Sequence, residues 1–317
     1  MLTRIFGQIN SATSIFIGLL AATLAVGHFL FIQTPEFQIT TAWGVFVFLP
    51  VVGYSIFAAG LVALLFGYQW LFEYKYKLVK RNAYFPFFLL VFVLIFSSNS
   101  GLDVLISLLF IGLVLGSWFA VYQGEKILGR TLNTGLVIGL GTLLDPKLSI
   151  MLLLSFVAYT VFGRFNGRVF LILIVGFLTI FINSIALEYI LLSTNTVWAY
   201  YVRLFSFSSE QAALHISVYQ VAIFGILLLP ALPEFANTLS RATVFKRQAY
   251  TILMAMVVVA TALFFIRGAW VLYISMLIVG VLAIFVNYFQ VMKRVWLQEI
   301  ILWLLLGVLA LFDLNIL

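Results

Sequence analysis

Eleven apolar stretches separated by short polar connections take up nearly the whole chain: 10–33, 43–72, 85–98, 104–122, 127–144, 147–163, 169–192, 216–233, 250–266, 270–290 and 297–316. Some, such as Phe87 to Phe96 and Val257 to Phe265, run without a polar break. Crossing a bilayer takes roughly 20 apolar residues at about 1.5 Å each. A membrane barrel would show short alternating segments instead. The expected fold is therefore an all-α, polytopic transmembrane bundle of about 11 spans. Stretch 43–72 is longer than one span requires, and Pro50 divides it into a short surface helix at 40–49 and a spanning helix. The longest polar connection, 193–215, carries Trp198, Tyr200, Tyr201, Phe205 and Phe207, which suit a helix lying on the membrane surface. No segment reads as a soluble domain, so residues 1–317 are expected to form a single integral membrane domain. The first stretch has no A-x-A site and reads as a retained helix rather than a signal peptide.

Composition sharpens this picture. Of the 317 residues, 65% are hydrophobic and 9% charged, against about 25% charged in soluble domains. No water-facing surface can be built from so few charges. Their placement gives the orientation. Arg4, then Lys75, Lys77, Lys80 and Arg81, then Lys126 and Arg130, Arg164 and Arg168, Arg241, Lys246 and Arg247, and Lys293 and Arg294 fall in alternate gaps. Lys147, Arg203 and Arg267 fall in the others. Cytoplasmic loops retain Lys and Arg during insertion, so the N-terminus is expected inside and the C-terminus outside. The net charge of +7 belongs to membrane borders, where anionic headgroups attract it, and not to nucleic acid. The chain has no cysteine, which excludes disulfides, thiolate metal sites and cysteine nucleophiles.

The candidates for chemistry lie on the outer side. Proline pushes the residue before it out of helical geometry, so Asp145-Pro146-Lys147 should end the fifth span near Leu144. The apolar run Gly135 to Leu144 is only about 15 Å long at helical rise, and 148–163 about 24 Å. Such a break, set below the outer surface, is tolerated only against protein or a cavity. Asp145 and Lys147 then line an outward pocket, or form a plain turn in which Asp145 caps the next helix and Lys147 snorkels. Asp103 opens the fourth span after Ser97-Ser98-Asn99-Ser100-Gly101, where a carboxylate suits the positive end of the helix dipole. Glu36 follows the first span, and Glu188 lies within an apolar one, where it is either functional or snorkels. Glu210 and Asp313 are further outer acids. Lys147, Arg203 and Arg267 are candidate partners for a phosphate. His215 is a candidate acid or base near neutral pH, or a belt residue. His28 reads as a bundle histidine. Gly112-x-x-x-Gly116 and Gly135-x-x-x-Gly139 are close-packing motifs. No P-loop is present, so the chain itself does not hydrolyse ATP.

The order helix, SSNSGLD, helix, GEKILGR, then GLVIGLGTLLDPKLSIMLLLSFVAYTVFGRFNGR, covering Phe87 to Leu178, resembles the GT-C superfamily of glycosyltransferases that use polyprenyl-phosphate sugars. FGRFNGRVFLILIVGFLT and VNYFQVMKRVWLQEIILWLLL are similar to an uncharacterised family of polytopic inner-membrane proteins from Bacteroidota. The GT-C likeness implies an acidic residue in the first outer loop that handles the acceptor or a metal, and only Glu36 is available there.

The resulting expectation is a GT-C-like protein of the bacterial inner (cytoplasmic) membrane, acting on lipid-linked sugars in cell-envelope glycan assembly, either as a glycosyltransferase or as a non-catalytic relative. Glu36, Asp103 and Asp145 are the candidate catalytic carboxylates. Lys147, Arg203 and Arg267 are the candidate lipid-phosphate ligands, with His215 and Glu188 as further candidates. A divalent cation at a carboxylate is a possible cofactor. Expected partners are membrane lipids, a polyprenyl-phosphate sugar, and membrane proteins if the chain is instead a scaffold. A lipid transporter or flippase is a further reading, which the scarcity of ionisable groups in the inner halves of the spans disfavours. Glu299, near the inner border, is the main exception.

Overall fold

The computed structural model describes residues 17, 20, 37–41, 44–48, 50–80, 84–96, 101–124, 126–192, 225, 231–233, 235–237, 239–267, 271–292 and 294–313. A hairpin of β1 (Phe37–Thr41) and β2 (Gly44–Phe48) comes first, antiparallel, with Phe37 opposite Phe48 and Thr41 opposite Gly44. Helix α1 (Pro50–Gln69) continues into a π-helical turn, Trp70–Lys75. Then come α2 (Tyr84–Phe96), α3 (Gly101–Tyr122), α4 (Ile127–Leu144), a 3-10 turn (Pro146–Ser149) and α5 (Ile150–Val161). Helices α6 (Gly167–Leu192), α7 (Val244–Arg267), α8 (Val271–Val291) and α9 (Val295–Asp313) complete the described bundle.

Six of these segments are long and apolar enough to cross a membrane: Ile56–Lys75, Asp103–Tyr122, Ile127–Leu144, Gly167–Ile190, Val244–Phe264 and Val271–Val291. Tyr84–Ile95, Pro146–Val161 and Val295–Val308 are shorter apolar helices. The expected spans at 10–33 and 216–233 lie almost wholly outside the described residues, as does the connection 193–215.

The expectation of a surface helix at 40–49 is corrected: the described residues there, 40–41 and 44–48, lie in the paired strands. The reason is visible in FQITT and GVFVF. Their β-branched and aromatic side chains fit a pleated ribbon better than a helix. Pro50 does mark the boundary, as the first residue of α1, a position where its missing N–H costs nothing.

At the centre lies α2, whose residues 84–95 are all buried. A helix that is apolar all round belongs in a protein core or in a membrane. Here α1, α3, α8 and α9 enclose it. Phe88 meets Phe285 and Phe289 edge-on at 4.9 and 5.0 Å between ring centres, and Tyr84 meets Phe289 at 4.9 Å. Such edge-to-face pairs contribute about 0.5–1.5 kcal/mol beyond burial.

The most extensive pairing among the described elements is α4 against α6. It depends on backbone contact. A Cβ on Gly135 would strike the Leu173 carbonyl, and one on Gly176 would lie 2.6 Å from the Leu132 carbonyl oxygen. On Gly139 it would lie 2.9 Å from Ile180 Cβ. The expected close-packing role of Gly135 and Gly139 therefore holds, and α6 supplies the complementary small residue. Gly112 and Gly116 also sit in close contact, against the Tyr68 ring and the Leu71 side chain.

The basic connections meet at one end of the bundle. There the Tyr250 hydroxyl donates to the Leu78 carbonyl (3.0 Å), Asn287 donates to the Tyr250 hydroxyl, and Gln290 Nε2 donates to the Lys80 carbonyl (3.2 Å). Gln248 Nε2 donates to the Val161 carbonyl (2.9 Å). Tyr122 packs on Phe162 and Phe245 in the same region. Since α3 ends and α4 begins here, Asp103 and Asp145 lie at the opposite end.

Replacing Gly135 or Gly176 by Ala forces α4 and α6 apart and should destabilise the fold by about 1–3 kcal/mol. Gly129→Ala, on the same helix with open space at its Cβ, should be neutral or stabilise by about 0.5–1 kcal/mol. Thermal unfolding in detergent checks both. Equal tolerance of Ala at Gly129 and Gly135 would contradict the seam.

Candidate functional site

Helix α4 ends at Leu144, where the sequence places its end. Asp145 makes the last helical bond, its N–H to the Gly141 carbonyl at 2.8 Å, but its own backbone is extended, with φ −133° and ψ 107°. The following proline enforces that geometry. The chain then turns through Pro146–Ser149 into α5. Asp145 Oδ1 accepts the Lys147 backbone N–H at 3.0 Å, and the Leu148 N–H donates to the Asp145 carbonyl at 3.0 Å. Asp145 thus caps the turn, one of the two roles its sequence context allows, and the turn is locally complete. Leu148 folds back beside Gly141, where a Cβ would lie 3.0 Å from Leu148 Cδ1.

Helix α5, directly after the turn, is clamped to its neighbours. Trp118 Nε1 donates to Ser155 Oγ (3.0 Å), tying α3 to α5, and the Tyr159 hydroxyl donates to Thr134 Oγ1 (3.1 Å), tying α5 to α4. Both bonds are buried, so the break is a fixed feature of the bundle.

The packing of α3 beside α4 brings a third group to this end. Asp103 lies in the first turn of α3. Its carboxylate is close enough to feel the charges of both Asp145 and Lys147, and Lys147 feels both acids. All three side chains are half-buried. Strand β1 packs against both α3 and α4. The structure thus assembles two of the expected carboxylates and one expected cation into a single cluster.

Glu188 belongs to the same level. Gly135 contacts Leu173 and Gly176, and Gly139 contacts Phe177 and Ile180, so α4 and α6 run in the same direction. Continuing that register by helical turns places Ser184 beside the end of α4 and Glu188 level with the break. Glu188 is only 2% exposed, so it does not snorkel to solvent but faces the bundle.

The other candidates are not gathered here. Glu36, Arg203, Glu210, His28 and His215 lie outside the described residues. Arg267 closes α7 and Asp313 closes α9, and nothing of their side chains is described. Among the described residues no group of three or more His, Cys, Asp or Glu converges on a metal position. The Lys147 ammonium beside Asp103 and Asp145 would also repel a divalent ion. The donor set here does not fit a divalent cation.

A buried acid not anticipated from the sequence is Glu73, 1% exposed, in the π-helical turn at the basic end. Gln69 Nε2 donates to its Oε2 at 3.2 Å. In the sequence it stands beside Lys75 and Lys77 and reads as part of a solvated border. The extra residue per turn of a π-helix shifts which side chains face inward, and periodicity does not reveal that.

Chemically, among the described residues, the cluster is one ammonium among acceptor oxygens. Two carboxylates around a single Lys leave an excess of acceptors, which suits hydrogen-bond donors such as hydroxyl groups, while the ammonium suits one anionic oxygen.

No curated protein and no solved structure matches this chain. Over residues 2–316 it matches the model of a family of unknown function, DUF6427, and it belongs to that family.

Proposed function

We propose that this chain is a GT-C-like protein of the bacterial inner membrane that engages a lipid-linked, polyprenyl-phosphate sugar at its outer face, in cell-envelope glycan assembly. The observation that carries this reading is the clustering of Asp103, Asp145 and Lys147 at a clamped helix break opposite the basic end. Acceptor oxygens in excess suit the hydroxyls of a sugar, and Lys147 suits a phosphate oxygen. Arg203 and Arg267 are the further cations expected on that face. The reading includes about eleven spans in one integral domain, with the N-terminus cytoplasmic, and kinship to inner-membrane proteins of Bacteroidota.

As a transferase, a carboxylate of the cluster would take the proton of an acceptor hydroxyl. The acceptor oxygen would attack the anomeric carbon, the bond from that carbon to the phosphate oxygen would break, and Lys147 would stabilise the polyprenyl phosphate that leaves. Of the expected acids, Asp103 fits the base role better than Asp145, whose Oδ1 is committed to the turn. Glu36 directly precedes β1 in the chain and is the remaining candidate. In a non-catalytic relative the same cluster would hold the lipid-linked sugar without transferring it.

Because the chain has no native cysteine, single-cysteine labelling gives its orientation cleanly. In intact cells, a cysteine at Ser98 should react with a membrane-impermeant maleimide and one at Gln123 should not. The reverse pattern would overturn the orientation. Native mass spectrometry of protein released gently from its own membrane tests the ligand. The wild type should carry a polyprenyl phosphate or its sugar conjugate, lost in Lys147→Gln and reduced in Asp103→Asn. Asp145→Asn keeps a capping oxygen and should fold normally, whereas Asp145→Ala should cost about 1 kcal/mol of stability. A stoichiometric protein partner with no such lipid, or a lipid retained in every variant, would overturn the reading in favour of a scaffold.

A further inference from the structure

At the opposite end of the bundle, α1 and α3 leave a groove of about 410 Å³ between them, open to the exterior. That volume falls in the roughly 300–1,000 Å³ range of small-molecule sites. Gly67 on α1 leaves the groove open, and Gly112 and Gly116 on α3, packed against Tyr68 and Leu71, line its wall. A Cβ at Gly67 would meet nothing within 4 Å. The Tyr68 hydroxyl, in the groove floor, is committed to the Leu108 carbonyl at 2.7 Å, so the floor offers mainly apolar surface.

One end of this groove is charged. Lys75, from the π-helical turn, and Arg130, from the first turn of α4, both line it, and both are exposed. The Lys75 ammonium lies 4.9 Å from the Trp70 ring centre and 5.1 Å from that of Tyr76. Contacts of that length draw the cation to the aromatic faces. Trp70 is itself 55% exposed, as befits a ring at the level of lipid headgroups. The nearby acid, Glu73, is buried within the bundle.

The dimensions point to one occupant. From Ala63 to Lys75 the groove extends about 18 Å at helical rise, roughly half of a hydrocarbon core about 30 Å thick. That is the depth of one leaflet, the reach of an acyl chain and too short for a spanning helix of a partner. Two cations at its polar end complement an anionic phosphate. We propose that this groove is a binding site for an anionic phospholipid of the cytoplasmic leaflet. One acyl chain lies over Gly67, Gly112 and Gly116, and the phosphate lies between Lys75 and Arg130. This site stands apart from the outer cluster, and only its assignment to the cytoplasmic leaflet rests on the orientation proposed above.

The test reconstitutes the full chain in vesicles of equal parts phosphatidylglycerol and phosphatidylcholine, followed by native mass spectrometry of the retained lipid. Wild type should hold one phosphatidylglycerol in preference to phosphatidylcholine. In the double variant Lys75→Gln/Arg130→Gln that preference should fall on the order of tenfold or more. Gly67→Leu, at a position whose Cβ has open space, projects a side chain into the groove and should lose the retained lipid of either headgroup while the protein keeps its thermal stability. Equal retention of both lipids by wild type, or retention unchanged in Gly67→Leu, would overturn the proposal. Both variants should still carry any lipid-linked sugar bound at Lys147, so failure here is distinct from failure at the outer cluster.

Discussion

In a chain this apolar, polar groups buried among the helices need partners inside the protein, because leaving one unpaired is costly. The structure answers that constraint repeatedly. Hydroxyls of Thr131, Thr134, Ser155, Thr160, Ser184, Thr261 and Ser275 each bond to the carbonyl one turn back. Where the backbone leaves helical geometry, longer-range donors step in. The Tyr250 hydroxyl reaches Leu78, in the connection after the π-helical turn, and Gln298 Nε2 reaches the Phe289 and Met292 carbonyls at the corner between α8 and α9. The hairpin meets the same demand by pairing its two strands.

The helix break at Asp145 is the same constraint at the other end. Pro146 removes a donor and forbids helical geometry at Asp145. With the helix broken there, the Lys147 N–H has no helical acceptor, and the Asp145 carboxylate supplies one. A carboxylate recruited to complete a turn thereby comes to stand beside a lysine, and the packing of α3 adds Asp103. Structural and chemical readings of this turn are thus compatible. One oxygen of Asp145 serves the backbone, and the cluster's remaining oxygens and its ammonium are positioned by rigid helices that Trp118 and Tyr159 hold in place.

Legibility in the sequence varied with the range of the interaction involved. Helix α4 was readable to the residue, because Pro146 ends it by local sterics. The α4 glycines were readable as a packing motif, but their partner Gly176 was not, since nothing near Gly176 in the chain identifies α6 as the neighbour of α4. Residues 40–49 misled because, joined to an apolar helix, an apolar strand looks like more of it. Only the β-branched content distinguishes FQITT and GVFVF. Glu73 was hidden by its basic neighbours and by a π-helical turn that shifts the inward face.

Residue order alone determines the apolar segments, the basic end of the bundle, the stop at Leu144 and the lack of any thiol chemistry. Each of these depends on a short window: hydrophobicity summed over one helix, charge in one connection, a ring closed on one backbone nitrogen. Packing between distant segments set the rest. It placed Asp103 beside Asp145 and Lys147, turned Glu188 and Glu73 inward, and set Gly67, Gly112 and Gly116 along a groove ending at Lys75 and Arg130. These neighbours are far apart along the chain, and only the side-by-side seating of whole helices brings them together.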